Sequence, residues 1–235
     1  NLSKDLSVED ILIYSSNIGS VKIGQKVGQD KLKKFLKKIG ILGQLNFDIE
    51  EIGKPLAFKW RDCKLKTVSY GHGITTTPIQ LAKGYAIITN GGYDVKPTLI
   101  KKEINNLKKK RILDKNISSQ LNPILRKVVL NGTASLADVE GYEVGGKTGT
   151  AQIVENGIYT KKKINTFASI FPSSNPKYVL IVLLEDTKLS KNYVYKYRNK
   201  TGTYTGTPFN TAGWTSVEIA GKIIDKIGPI LATKY

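Results

Sequence analysis

Methionine is absent from this 235-residue chain, cysteine and histidine occur once each, and Arg61, Arg111, Arg126 and Arg198 are the only arginines. A lone Cys63 forms no disulfide within the chain, so cysteine usage does not report the redox compartment. One cysteine and one histidine, His72, cannot build a four-ligand zinc site, and no cofactor motif or internal repeat is found. No metal or cofactor is therefore expected. No apolar run approaches the roughly 20 residues a bilayer span needs, and no signal sequence is recognised, so the chain itself is expected to be soluble.

What is abundant is lysine. Lysine and arginine total 37 against 19 acidic residues, a net charge of +18. Base readout and bidentate phosphate contacts favour arginine, so its scarcity argues against a nucleic-acid partner. Weak attraction to an anionic membrane surface or wall polymer stays open. At 40% hydrophobic, a chain of this length supports one domain burying roughly 70–75% of its unfolded surface.

Helical spacing appears first. Ser7 followed by Asp10 reads as a capping box leading through Ile11–Ile13 to Ser15, which puts Ser15-Ser16-Asn17 in a loop between two helices. Leu32, Phe35, Leu36 and Ile39 mark a second helix with a solvated lysine face, ended by Gly40. From Ile41 to Thr76 the pattern is irregular, with Lys54-Pro55, Gly71 and Gly73 breaking any helix. Thr77 as cap, Pro78 and the stripe Leu81, Ala82, Tyr85 and Ile88 give a helix that stops at Asn90-Gly91-Gly92. Val95–Ile100 and Arg111–Leu113 read as a hairpin around a turn at Asn105-Asn106. Leu121, Leu125, Val128 and Val129 form a further helix with Pro123 near its first turn.

Alternation then takes over. Tyr142–Ile153, Thr166–Phe171 and Tyr178–Leu184 read as strands of an antiparallel sheet, with a turn at Asn156-Gly157. A polar loop follows from Lys188 to Gly213. Val217, Ile219, Ala220, Ile223, Ile224 and Ile227 form a last helix covering the back of the sheet.

The chemistry concentrates at Val144-Gly145-Gly146-Lys147-Thr148-Gly149-Thr150-Ala151-Gln152. Small residues after a lysine leave the strand edge open to an extended peptide, while the ammonium and a hydroxyl favour a carboxylate. By itself Lys-Thr-Gly also fits a glycine-softened strand or turn. Ser15-Ser16-Asn17, however, is an S-x-N element, the companion of K-T-G in serine acyl-transferases that recognise penicillin.

Together with Tyr70-Gly71-His72-Gly73-Ile74, Thr77–Ala82, Asn90-Gly91-Gly92 and Gly132-Thr133-Ala134, these motifs resemble the transpeptidase domain of class B penicillin-binding proteins, most of all the division-specific septal branch. The resemblance implies an α+β (α/β sandwich) fold of the penicillin-binding/serine β-lactamase-like kind: an antiparallel sheet flanked by helices, plus an all-helical lobe. Residues 1–235 would be the C-terminal portion of that domain, with the helical lobe at about 1–135 and the strands and C-terminal helix at about 136–235.

It also implies roles. Ser15, Asn17 and Lys147 would be catalytic, and Thr148, Gly149 and Thr150 would bind substrate. The substrates would be peptidoglycan stem peptides ending in D-Ala-D-Ala, with β-lactams as mimics. The parent protein would be anchored in the inner membrane, facing the periplasm beside division or elongation machinery. The family's nucleophile and base lie in an S-x-x-K helix upstream of S-x-N, and that motif is expected to be missing here. The chain is thus read as an N-terminally truncated fragment, inactive by itself. Ser174-Asn175-Pro176-Lys177 matches S-x-x-K formally, but its proline suits a turn. His72 is read as a loop histidine, and Cys63 is not read as a catalytic thiol. The alternatives are a serine β-lactamase, disfavoured because no E-x-x-x-N loop is found between Asn17 and Lys147, and a non-catalytic penicillin-recognising sensor module.

Overall fold

The computed structural model describes residues 5–49, 53–56, 58–101, 110–198 and 201–234. They divide into two compact units, one of Asn1–Leu6 with Ser16–Leu121 and one of Ser7–Ser15 with Asn122–Tyr235.

The first unit is helical. Helices α2 (Asn17–Val27) and α3 (Gln29–Lys38) are separated by Gly28, whose φ of 82° an L side chain rarely adopts. Helix α4 (Asp62–Ser69) packs on α2 where Gly24 has no side chain; a Cβ there would meet Ser69 Oγ at 1.9 Å. Helix α5 (Pro78–Thr89) starts on a capping box between Thr77 and Gln80, with Pro78 in the first turn. The Gln80 side chain is fully buried, and its Nε2 donates to the carbonyls of Gly40 at 3.2 Å and Gly43 at 2.7 Å. The core of this unit gathers Ile39, Ile41, Ile87 and Leu113.

The second unit carries the sheet. Helix α1 (Val8–Ile13) has the capping box read from the sequence, with both Ser7–Asp10 bonds formed, and it buries Ile11 and Ile13. Helix α6 (Lys115–Asn131) contributes its residues from Asn122 onward. Strands β1 (Gly145–Glu155), β2 (Ile158–Phe171) and β3 (Tyr178–Glu185) form an antiparallel sheet in the order β1-β2-β3. Asn156 and Gly157, both at positive φ, close the β1–β2 hairpin as the Asn-Gly pair foretells. Strands β4 (Val194–Lys196) and β5 (Thr203–Thr205) make a small second sheet, and helix α7 (Ser216–Ala232) packs on β2 and β3. Phe167, Val128, Val129, Val144, Val217 and Ile224 are wholly buried in the core.

Several expectations are corrected. Helix α4 occupies a stretch read as irregular, because the Lys54-Pro55 and glycine breakers lie outside it on either side. No strand spans Val95–Ile100; Tyr93 and Arg111 make a single bridge, and the Asp48 carboxylate instead holds Thr98 Oγ1 and Leu99 N–H, each at 2.6 Å. Pro97 also has no N–H to give a ladder. The turn at Asn105-Asn106 lies outside the described residues. Pro123 sits in mid-helix, not in the first turn, because the Asp114 carboxylate accepts the Asn116 N–H at 2.8 Å and α6 starts from there. Strand β2 begins at Ile158, eight residues before the expected Thr166, since its lysine-rich part is carried by pairing with β1. The polar stretch 188–213 contains the β4–β5 pair.

Candidate functional site

Lys147 and Thr148 lie near the start of β1, directly across from Ala168 and Phe167 on β2, and Thr150 faces Asn165. Among the described residues β1 pairs only with β2, so its other edge is open. Gly146 cannot be replaced cheaply, since a Cβ would come within 2.6 Å of the Ala168 carbonyl and 2.7 Å of the Phe167 ring. Gly149 is exposed, and a Cβ there would meet nothing closer than the Thr166 carbonyl at 4.0 Å. Packing of the sheet therefore does not require its bareness.

The start of β1 is clamped. Arg126 Nη1 on α6 donates to Asp138 Oδ1 at 2.6 Å and to the Val144 carbonyl at 2.9 Å. This holds the residue that leads into Gly145 and the lysine.

Ser15 reaches the same place from α1. It follows that helix at a φ of 56°, in the left-handed region that a serine enters at a cost. Gly132 lets the end of α1 come close, because a Cβ there would lie 2.5 Å from the Ile13 carbonyl. Lys147 Nζ donates to Ser15 Oγ at 2.7 Å and to the Thr148 carbonyl at 3.2 Å. With its oxygen accepting from the ammonium, Ser15 keeps its own proton free to give elsewhere. Burial of the ammonium draws its pKa from 10.5 down to about 8. With that value above 7, the charged form of Lys147 still predominates at neutral pH.

Two hydroxyls lie close by on the same strand. Thr148 Oγ1 lies 2.7 Å from Thr133 Oγ1, and Thr150 Oγ1 accepts the Ala212 N–H at 2.9 Å. The second unit therefore brings together Ser15, Lys147, Thr148 and Thr150. Asn17 is exposed in the first turn of α2 in the first unit, where Ser16 caps the helix by accepting the Gly19 N–H at 3.2 Å. The S-x-N element is thus a two-residue turn running straight into a helix.

Thr133 and the Ala212 N–H are site groups that the sequence does not mark: Gly132-Thr133-Ala134 is a landmark without a role of its own, and a backbone donor from residue 212 leaves no trace in local pattern. Other candidates lie elsewhere. The His72 ring lies 5.1 Å from that of Tyr70, tilted by 46°, and its backbone N–H donates to the Thr67 carbonyl, as befits a loop histidine. Cys63 is exposed on α4. Ser174–Lys177 is a bend between β2 and β3, with Ser174 held by Glu143, so it lacks the helical turn S-x-x-K requires.

Known proteins resemble this chain in sequence and in fold. A chain from Buchnera aphidicola named peptidoglycan D,D-transpeptidase FtsI is 35% identical over 196 residues, covering 80% of this chain and 34% of that one. The probable peptidoglycan D,D-transpeptidase FtsI of Caulobacter vibrioides is 28% identical over 242 residues, covering 97% of this chain. This chain spans only 39% of the length of that relative. Among solved structures, the transpeptidase domain of Burkholderia pseudomallei penicillin-binding protein 3 superposes with a TM-score of 0.79 at 25% identity, covering 96% of this chain and 65% of that one. Penicillin-binding protein 3 of Mycobacterium tuberculosis, solved with aztreonam, superposes at 0.75 with 26% identity, covering 94% and 52%. The α+β architecture is that of these domains. Since the penicillin-binding protein transpeptidase domain family also matches residues 1–205 as a whole, the chain belongs to that family.

Proposed function

We propose that this chain carries the substrate-binding and proton-relaying part of a serine D,D-transpeptidase that cross-links peptidoglycan stem peptides through an acyl-enzyme. The observation that carries the reading is the 2.7 Å bond from Lys147 Nζ to the oxygen of a strained Ser15, beside an open strand edge. A buried ammonium that remains charged at neutral pH supplies local positive potential for the terminal carboxylate of a D-Ala-D-Ala peptide or of a β-lactam. Thr148 and Thr150 donate to that carboxylate. Ser15 passes its proton to the leaving D-alanine amine, and the bare edge at Gly149 pairs with the peptide backbone. Thr150 N–H provides one donor to the oxyanion, and Asn17 bonds the substrate amide. Neither the acyl-accepting serine nor its lysine base is assigned within these residues.

On this reading the whole protein works at the periplasmic face of the inner membrane with division machinery, in keeping with its FtsI-named relatives. No helix among the described residues is long and apolar enough to cross a membrane. The test is fluorescent-penicillin labelling of the full protein encoded at the native locus, beside Lys147→Ala and the 235-residue chain. Covalent label on the full protein, reduced roughly 100-fold in rate by Lys147→Ala and absent from the short chain, is expected. A folded full protein that takes no label overturns the reading in favour of a non-catalytic relative.

A further inference from the structure

The Thr150 hydroxyl has one of its two acceptor positions occupied by a backbone donor. Ala212 N–H donates to Thr150 Oγ1 at 2.9 Å, which leaves the threonine proton to be given away. Thr148, by contrast, shares a bond with Thr133 in which either oxygen can be the donor. Ala212 is fully buried and opens a single 3₁₀ turn, Ala212–Trp214, where the first N–H groups lack partners within the turn. Its aim at Thr150 depends on where the preceding residues are held.

They are held by Asn210. Its Oδ1 accepts from Asn165 Nδ2 at 2.6 Å and from Thr187 Oγ1 at 2.6 Å, and its Nδ2 donates to the Thr187 carbonyl at 2.8 Å. Its backbone carbonyl accepts from Lys163 Nζ at 3.1 Å. Asn165 stands directly across the ladder from Thr150 and is wholly buried, with no partner for its own Oδ1 among the described residues. A buried oxygen without a partner costs stability that a leucine of similar size would avoid. What the amide provides in return is its donor to Asn210, two residues before Ala212.

We infer that the Asn165–Thr187–Asn210 cluster is a positioning device for carboxylate recognition: it fixes the 210–212 backbone so that Ala212 N–H holds the Thr150 oxygen in place with its proton available to donate. This rests on the assignment of Thr150 to the ligand carboxylate. Asn210 acts through Thr150 and touches no substrate. The ligand class selected is one with a free carboxylate next to the scissile amide, against its neutral ester.

The experiment compares acylation rates of the full protein by benzylpenicillin and by its methyl ester, with thermal unfolding recorded for every variant. Wild type is expected to prefer the acid, and Thr150→Val to lose the preference while Thr150→Ser keeps it. Asn210→Ala is expected to lower the acid rate about tenfold, leaving the ester rate unchanged. Asn210→Asp, which keeps oxygens for Asn165 and Thr187, restores most of the ratio. Added to Thr150→Val, Asn210→Ala changes the ratio no further. Should Asn210→Ala fail to fold, Thr187→Val removes one of the same bonds and is expected to shift the ratio in the same direction. Equal losses on acid and ester, or an unchanged ratio in a folded variant, overturn the positioning role alone. Acylation by neither compound in wild type overturns the reading of the site and this inference with it.

Discussion

A serine at a φ of 56° is kept there by its surroundings, and the bond from Lys147 Nζ to its Oγ marks where that conformation is used. Glycine adopts the same backbone without steric strain, so Ser15→Gly is expected to raise the unfolding free energy by about 1 kcal/mol in a urea titration while removing the proton relay proposed for the hydroxyl. A destabilised Ser15→Gly would mean that the bond to Lys147 outweighs the strain. Lys147 itself should titrate near pH 8, readable from its Cε resonance in NMR. Its folded pKa lies below the ordinary 10.5, so the unfolded chain binds that proton more tightly and stability rises with pH between about 8 and 10.5. The lysine's contribution to stability is fully present above the unfolded value and is lost as pH falls through the folded one. Affinity for a carboxylate runs the other way, because only the ammonium attracts it. Penicillin acylation is expected to decline above about pH 8, and a flat profile through pH 9.5 would remove Lys147 from that role.

Between elements, the clamp that Arg126 places on the entry to β1 joins α6, Asp138 and Val144 through one guanidinium nitrogen. The ion pair is mostly shielded, with side-chain exposures of 24% and 11%, so losing one partner strands the other. Arg126→Met is expected to cost about 2 kcal/mol by denaturant unfolding. It should also slow acylation more than an equally destabilising change in α7, because it loosens the strand that carries Lys147. Elements whose signals are local were legible in the chain: the Ser7–Asp10 box, the Thr77-Pro78 start, the Asn156-Gly157 turn and the apolar run of strand β3. Those that depend on distant partners were not. Helix α4 gains its place from contact with Gly24, and the lysine-rich first half of β2 looks like a solvated segment until β1 lies beside it.

At the scale of the molecule the two units differ in how much core they own. The second buries Phe167, Val128, Val129, Val144, Val217 and Ile224 completely, whereas the first gathers a cluster of four buried aliphatics, Ile39, Ile41, Ile87 and Leu113, among the described residues. Hydrogen exchange by mass spectrometry should therefore show β2 and α7 as the slowest segments, with α2 and α3 opening at lower free energy. Slower exchange in α3 than in β2 would contradict this ranking of the cores.

Composition and short-range pattern were sufficient for the broad architecture and for the identity of the motifs. Helix caps, turn pairs and alternation act within a few residues, and K-T-G with S-x-N carries its chemistry in its residue types. Folding in three dimensions decided the geometry that makes those residues a site. Ser15 meets Lys147 across 132 positions of chain because Gly132 admits the end of α1. Thr150 meets the Ala212 N–H because Asn165, Thr187 and Asn210, far apart in sequence, satisfy one another's polar atoms. Such bonds arise from long-range packing and the need to pair buried polar groups, and neither is written in any window of consecutive residues.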